Sequence, residues 1–370
     1  LGSFKQHKGT LFMEDDGQQI KVGISVGDLG GIGCEVALKT FSDPRMLDFC
    51  TPVFFASGKT ISHQKAHFCL DIGFQGVGDA SGAIPGKVNV VNVWKEHPEV
   101  PFGRASQTGG EYAIQSLQAA VDALKNGAID LLVTAPIDKK TVQSDQFRFP
   151  GHTDYLAREL GGESLMFMVT EGLKVGLLTD HVPVKDAPAL ITQKLIYSKV
   201  QAMEESLKRD FAIRRPRIAV LGINPHSGDE GVIGREDEEV LKPALRKLTD
   251  GKHLVFGPYA ADTFFASDNY REFDGILACY HDQGLIPFKT LAFGKGVNFT
   301  AGLSRVRTSP DHGTAYDIAG KGKADPSSFA EAVFTGIRIF RNRREYDRLT
   351  SNPLQKQKLK RSGKGREGQK

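Results

Sequence analysis

Apolar and β-branched residues fall into short blocks along this chain, separated by stretches with three- and four-residue periodicity. Residues 21–26 form one such block, which stops at a glycine cluster. Blocks of similar length lie at 52–56, 87–93, 130–134, 165–169, 174–179, 217–221 and 275–280. Short apolar runs bounded by turn residues predict strands. Over 107–126, Ala113, Leu117, Ala120, Val121 and Leu124 recur at helical steps, and Gly127 follows. That spacing predicts a long helix ended by glycine. Further helices are expected over 192–210, 236–248 and 327–340. Alternation of this kind implies an α/β protein with a largely parallel sheet.

The composition fits this picture. The chain has 370 residues, 40% hydrophobic and 25% charged, enough to bury a core without staples. No apolar run approaches the roughly 20 residues that span a bilayer, and the first 20 residues hold no signal-length apolar stretch. The expectation is a cytoplasmic protein with no membrane partner. Cys34, Cys50, Cys69 and Cys279 form no CxxC pair and read as free thiols of a reducing compartment. The formal charge of +4 is set by the end of the chain, where residues 351–370 carry seven Lys or Arg against one Glu. Few apolar residues and no aromatic interleave with these charges, so 351–370 is expected to be a disordered basic tail without a nucleic-acid role. The chain opens on Leu1, with its first Met at 13, and residues 1–20 are expected to be a tag or disordered leader.

Three histidines share one kind of position. His181, His226 and His281 each lie just past a predicted strand, and strand ends of an open α/β sheet form one ligand-binding edge. Three imidazoles with an open fourth position is a catalytic zinc-type set, although each could instead pack against its own loop. Asp180, Asn224 and Asp282 stand beside them as groups able to orient the rings.

Other segments suit an anion. The loop Gly27-Asp-Leu-Gly-Gly-Ile-Gly33 joins a strand to a helix and can present N–H groups, but it is neither GxGxxG nor a Walker loop. His152 and Thr153 stand at the start of a predicted helix, where the dipole favours negative charge; Thr153 alone would also serve as an ordinary N-cap. Lys289, Asn298 and Arg307 follow at nine-residue steps in a glycine-rich region with little helical character, and they suit phosphate or carboxylate.

These residues lie within longer blocks: GDLGGIG at Gly27, VTAPIDK at Val133, GHTDYLA at Gly151, LLTDHVPVKD at Leu177, GINPHSGDEGVIGRE at Gly222, GPYAADTFF at Gly257, YHDQGLIPFK at Tyr280, GKGVNFTAGL at Gly294 and RTSPDHGTAYDIAGKGKAD at Arg307. Together they resemble the 4-hydroxythreonine-4-phosphate dehydrogenase family of pyridoxal 5′-phosphate biosynthesis, from about Val22 to Ile337. The resemblance implies a two-domain fold like that of isocitrate and isopropylmalate dehydrogenases, with mostly parallel sheets and a cleft between domains. The discontinuous unit 21–149 plus 285–350 would bind NAD, or NADP. The unit 150–284 would carry the metal, substrate and dimer contacts.

It also implies a homodimer whose active site uses residues of both chains. One divalent metal (zinc, magnesium or cobalt) would sit on His181, His226 and His281. Substrate contacts would fall to His152, Thr153, Lys289, Asn298 and Arg307. The segment from Asp311 to Gly322 looks like an adenosine-binding loop, placing the cofactor on His312, Gly313, Thr314 and Asp317. The implied reaction is NAD-dependent oxidation of 4-phosphooxy-L-threonine, followed by decarboxylation to 3-amino-2-oxopropyl phosphate. Asp262 and Asp282 are the candidates for general base. Leu29, Gly30 and Cys34 depart from the family's first glycine loop, which has Pro, Ala and Pro there, and Asp180 stands where Thr is common. Relatives that oxidise four-carbon sugar-acid phosphates or aromatic cis-dihydrodiols, a metal-dependent hydrolase and a silent phospholigand-binding protein are the rival expectations.

Overall fold

The computed structural model describes residues 19–353, except 145, 146, 150 and 163. The expected leader and basic tail therefore lie outside the described residues, save 19–20 and 351–353.

Twelve strands form one sheet: β1 (Lys21–Ser25), β2 (Thr51–Ala56), β3 (Phe74–Val77), β4 (Val88–Asn92), β5 (Leu131–Thr134), β6 (Leu165–Val169), β7 (Lys174–Leu177), β8 (Ile218–Leu221), β9 (Val255–Tyr259), β10 (Gly275–Ala278), β11 (Val297–Ala301) and β12 (Val306–Pro310). Their spatial order is β3-β4-β2-β1-β5-β12-β11-β6-β7-β10-β8-β9. All pairs are parallel except β12–β11, β11–β6 and β6–β7. The strands of the two expected units thus meet in a single sheet, joined where β11 runs antiparallel to β6 from Val297↔Val169 to Ala301↔Leu165.

The central strands are buried along their whole length, as a sheet covered by helices on both faces requires. The helix Gln107–Lys125 buries Ala113, Leu117, Ala120, Val121 and Leu124, the stripe read from its periodicity. Ser106 caps it by accepting from Gly109 N at 3.0 Å. The helix Ser327–Thr350 runs ten residues past its expected end. The helix expected over 236–248 is a π-type turn, Asp237–Leu241, followed by an α-helix, Lys242–Asp250. Pro243 has no N–H to give to the preceding turn, which widens there. None of the described helices is long and apolar enough to cross a membrane.

Four strands lie outside the expected set. The edge strands β3 and β9 contain Gly76 and Gly257-Pro258, which read locally as turns. β11 and β12 form an antiparallel pair flanked by Gly294, Gly296 and Gly302. Asn298 and Arg307 therefore sit on strands, where tertiary pairing overrides glycine-rich local composition.

Candidate active site

β7, β10 and β8 are adjacent and parallel, so the three histidines that follow them start from one sheet edge. Gln283 fastens that edge. It accepts from Cys279 N at 2.7 Å and donates to Gly222 O at 2.6 Å, stitching the end of β10 to the end of β8.

His281 opens the helix His281–Leu291, and its ring centroid lies 5.9 Å from that of His181. Asp282 Oδ1 is 2.7 Å from His281 Nδ1, which fixes the ring and leaves Nε2 as the free nitrogen. Burial pushes the His181 imidazole down, aided by Lys139 and opposed by Asp180. A neutral imidazole is the form that binds a metal.

His226 lies elsewhere. It is exposed and begins a run, His226 to Glu230, in the left-handed region with φ of 51°, 53°, 84°, 45° and 55°. Non-glycine residues pay roughly 1–2 kcal/mol each for that conformation. The Asp237 carboxylate braces the turn's entry by accepting from Ile223 N at 2.8 Å and from Asn224 N at 3.0 Å. Among the described residues no cluster of three or more His, Cys, Asp or Glu could hold one ion. One chain thus brings together two of the three expected ligands.

These two histidines line a cavity of about 310 Å³. Its other walls include His152, Thr153, Lys289, Asn298, Arg307, His312 and Gly313. All five expected substrate contacts and two of the four expected cofactor contacts therefore face one space. Thr314 packs instead on the glycine loop, where its carbonyl accepts from Ile32 N at 3.0 Å. Asp317 is exposed. Asp282 touches the site through His281, whereas Asp262, exposed on the short helix Ala261–Ala266, does not line the cavity.

Arg307 dominates the electrostatics. It is 2% exposed, and its guanidinium donates to Thr134 Oγ1 at 2.6 and 3.1 Å and to Thr300 Oγ1 at 3.1 Å. No described carboxylate pairs with it. Burial alone pulls its pKa down to about 9. A buried cation held only by hydroxyls is incompletely compensated and favours an incoming anion.

Beside it His152 Nε2 is buried without a partner among the described residues, as are Asn298 Oδ1 and His312 Nε2. Such orphan atoms are costly unless a ligand completes them. Lys139 and Lys289 add positive charge at the wall, against Asp154 and Asp311. Lys139 and Thr134 are not among the site residues expected from sequence, and Asp311 is expected only as the start of the adenosine-like loop. Lys139 was findable, because VTAPIDK leads directly out of β5; Thr134 and Asp311 acquire their place only when β5 and β12 pair.

Burial, together with Arg307 and Lys139, holds the His152 imidazole well below its ordinary range. The unfolded chain then takes up the proton first as pH falls, near 6.5. Stability conferred by a neutral His152 is complete above about pH 6.5 and is lost progressively below it. Thermal melts should show the wild type losing more Tm than His152→Gln between about pH 7.5 and 5. Parallel slopes would show a solvated imidazole.

A family model described as pyridoxal phosphate biosynthetic protein PdxA matches residues 48–336. The chain is 46% identical over 341 residues to a 4-hydroxythreonine-4-phosphate dehydrogenase of Bacteroides thetaiotaomicron, covering 92% of this chain and 94% of that protein. A crystal structure of a 4-hydroxythreonine-4-phosphate dehydrogenase from Burkholderia phymatum superposes with a TM-score of 0.72 at 35% identity, covering 87% of this chain and 98% of that one. The enzyme of the same name from Klebsiella pneumoniae gives a TM-score of 0.77 at 30% identity, covering 88% and 99%. With its pattern running through the strands that build the cavity, and relatives matched over nearly their whole length, the chain belongs to the pyridoxal phosphate biosynthetic protein PdxA family.

Proposed function

We propose that this cavity oxidises the C3 hydroxyl of 4-phosphooxy-L-threonine with NAD as acceptor, and that the resulting 2-amino-3-oxo acid loses CO₂ to give 3-amino-2-oxopropyl phosphate. The observation that carries this reading is the buried Arg307, paired with no described carboxylate and lining the same small cavity as His181 and His281. Arg307, with Lys289 and Thr153, binds the phosphate. The unpartnered Nε2 of neutral His152 accepts a hydrogen bond from the substrate's ammonium or hydroxyl. Asn298 Oδ1 offers a second acceptor. Met166 and Met168, projecting from β6 on one face, supply an apolar wall.

His181 and His281 suit a shared divalent ion: both are imidazoles at neighbouring strand ends, and burial shifts His181 toward its neutral form. We assign the third position to His226 of a second copy of the chain, because His226 cannot join its own chain's pair. Exposed Val184, Val232, Ile233, Ile286 and Phe293 occur in the same segments as the three histidines, which supports a homodimer through this region. His312 and Gly313 would meet the nicotinamide cofactor, with Thr314 and Asp317 behind them. When bound, the nicotinamide supplies the oxidising equivalent and the divalent ion stabilises negative charge developing on oxygen. Asp282 orients His281. Asp262 can act as proton acceptor only where an assembly brings its helix to the cavity.

The units 21–149 with 285–350 and 150–284 are read as the cofactor-binding and metal-binding halves on either side of this cavity, in a cytoplasmic enzyme. The test is NADH formation at 340 nm from a panel of phosphorylated hydroxy acids, with NAD or NADP, before and after chelation. The reading requires 4-phosphooxy-L-threonine to be the best substrate and chelation to abolish the rate reversibly. Preference for a four-carbon sugar-acid phosphate, or a metal-dependent hydrolysis without NADH, would replace it.

A further inference from the structure

Asp28 is fully buried, takes no part in the chemistry above and has no described Lys or Arg as partner. Its Oδ1 accepts from Gly30 N at 2.8 Å and its Oδ2 from Tyr316 Oη at 2.9 Å. Its own N–H donates to Pro136 O at 3.0 Å, and Pro136 lines the substrate cavity. A few residues on, Ile32 N donates to Thr314 O at 3.0 Å.

Glycines make these approaches feasible. A Cβ on Gly31 would stand 2.8 Å from Thr314 O, and one on Gly109 would stand 2.7 Å from Asp28 Oδ1. Burial pushes the Asp28 carboxyl up, opposed by its bonds to Gly30 and Tyr316. A buried carboxyl without a cation is a poor source of stability, so its presence calls for a role in geometry.

We propose that Asp28 and Tyr316 form a latch that positions the segment His312–Asp317 against the cavity wall at Pro136, so that cofactor affinity depends on a hydrogen bond remote from the reacting atoms. Three chain segments meet at this one residue: the glycine loop and the 312–317 segment through its carboxylate, and the loop after β5 through its main-chain N–H. The proposal rests on reading 312–317 as the cofactor segment. Asp28 and Tyr316 are positioning residues, since neither lines the cavity.

NADH fluorescence titration on the metal-loaded enzyme tests the latch, with wild type, Tyr316→Phe, Asp28→Asn and Asp317→Ala. Tyr316→Phe removes one hydroxyl and should weaken NADH about 10-fold, the order expected for a bond to a charged group. KM for the phosphorylated substrate should stay at its wild-type value, while Tm should fall modestly because the buried Asp28 Oδ2 loses its donor. Asp28→Asn keeps an acceptor and should stay within about threefold of wild type. Normal NADH affinity in Tyr316→Phe with a loss in Asp317→Ala overturns the latch and leaves the cofactor segment in place. Normal affinity in both variants overturns the latch and the cofactor reading together. A parallel fall in NADH affinity and substrate affinity for Tyr316→Phe overturns positioning in favour of a purely structural bond.

Discussion

Arg307→Met should lower kcat/KM by roughly 10²- to 10³-fold, about 3–4 kcal/mol for two charge-assisted contacts to a bound anion. The same substitution should leave Tm unchanged or raise it. The guanidinium is buried beside hydroxyls alone, and its depressed pKa reports what burial takes from the charged form. Met fills comparable volume and removes that desolvation, and the groups left without Arg307 are only the neutral hydroxyls of Thr134 and Thr300. Loss of function with retained stability is the signature of a group held in place for a ligand. Steady-state rates and thermal melts on the same preparations check both halves. A rate within about threefold of wild type, or a collapse in Tm, would make Arg307 a structural residue.

His226→Ala should lose bound metal and turnover together although His226 does not line the cavity that holds His181 and His281 in its own chain. Metal-supported enzymes commonly lose several kcal/mol of transition-state stabilisation with the ion, so a fall of at least 10³-fold is expected. The mixed protein is the sharper test. If His226 serves the partner's cavity, dimers formed from His226→Ala and Arg307→Met chains contain one site with both defects and one intact site. Random reassociation should then restore about a quarter of wild-type activity. No recovery, with dimers shown to exchange, would place His226 and Arg307 in the same site of the same chain.

Much of this site is legible in the sequence because strand ends are legible. Short apolar blocks locate β7, β8 and β10, and the residue just past each is the one an open sheet offers to a ligand. His152 is likewise readable from the helix it begins. What lies beyond sequence reading is long-range. Arg307 and Asn298 are in a glycine-flanked pair of strands, and their hydroxyl or empty surroundings arise only when β12 docks on β5 and β11 on β6. His226 shows the complementary failure. Its strand-end position predicts convergence, but a left-handed turn braced by Asp237 carries it out of its own chain's cavity. The β9 edge strand escaped because Gly257-Pro258 is a turn signal unless an edge tolerates it.

Arg307 is the group through which the proposed cavity reads the phosphate of its substrate. Isothermal titration of 4-phosphooxy-L-threonine and of its unphosphorylated counterpart, each into wild type and Arg307→Met with the divalent ion present, measures this directly. Wild type should prefer the phosphorylated ligand by about 100-fold or more, and the variant by no more than about 10-fold, with the weaker ligand's affinity nearly unchanged between the two proteins. Equal affinities for the two ligands in wild type, or a preference undiminished in Arg307→Met, would contradict it.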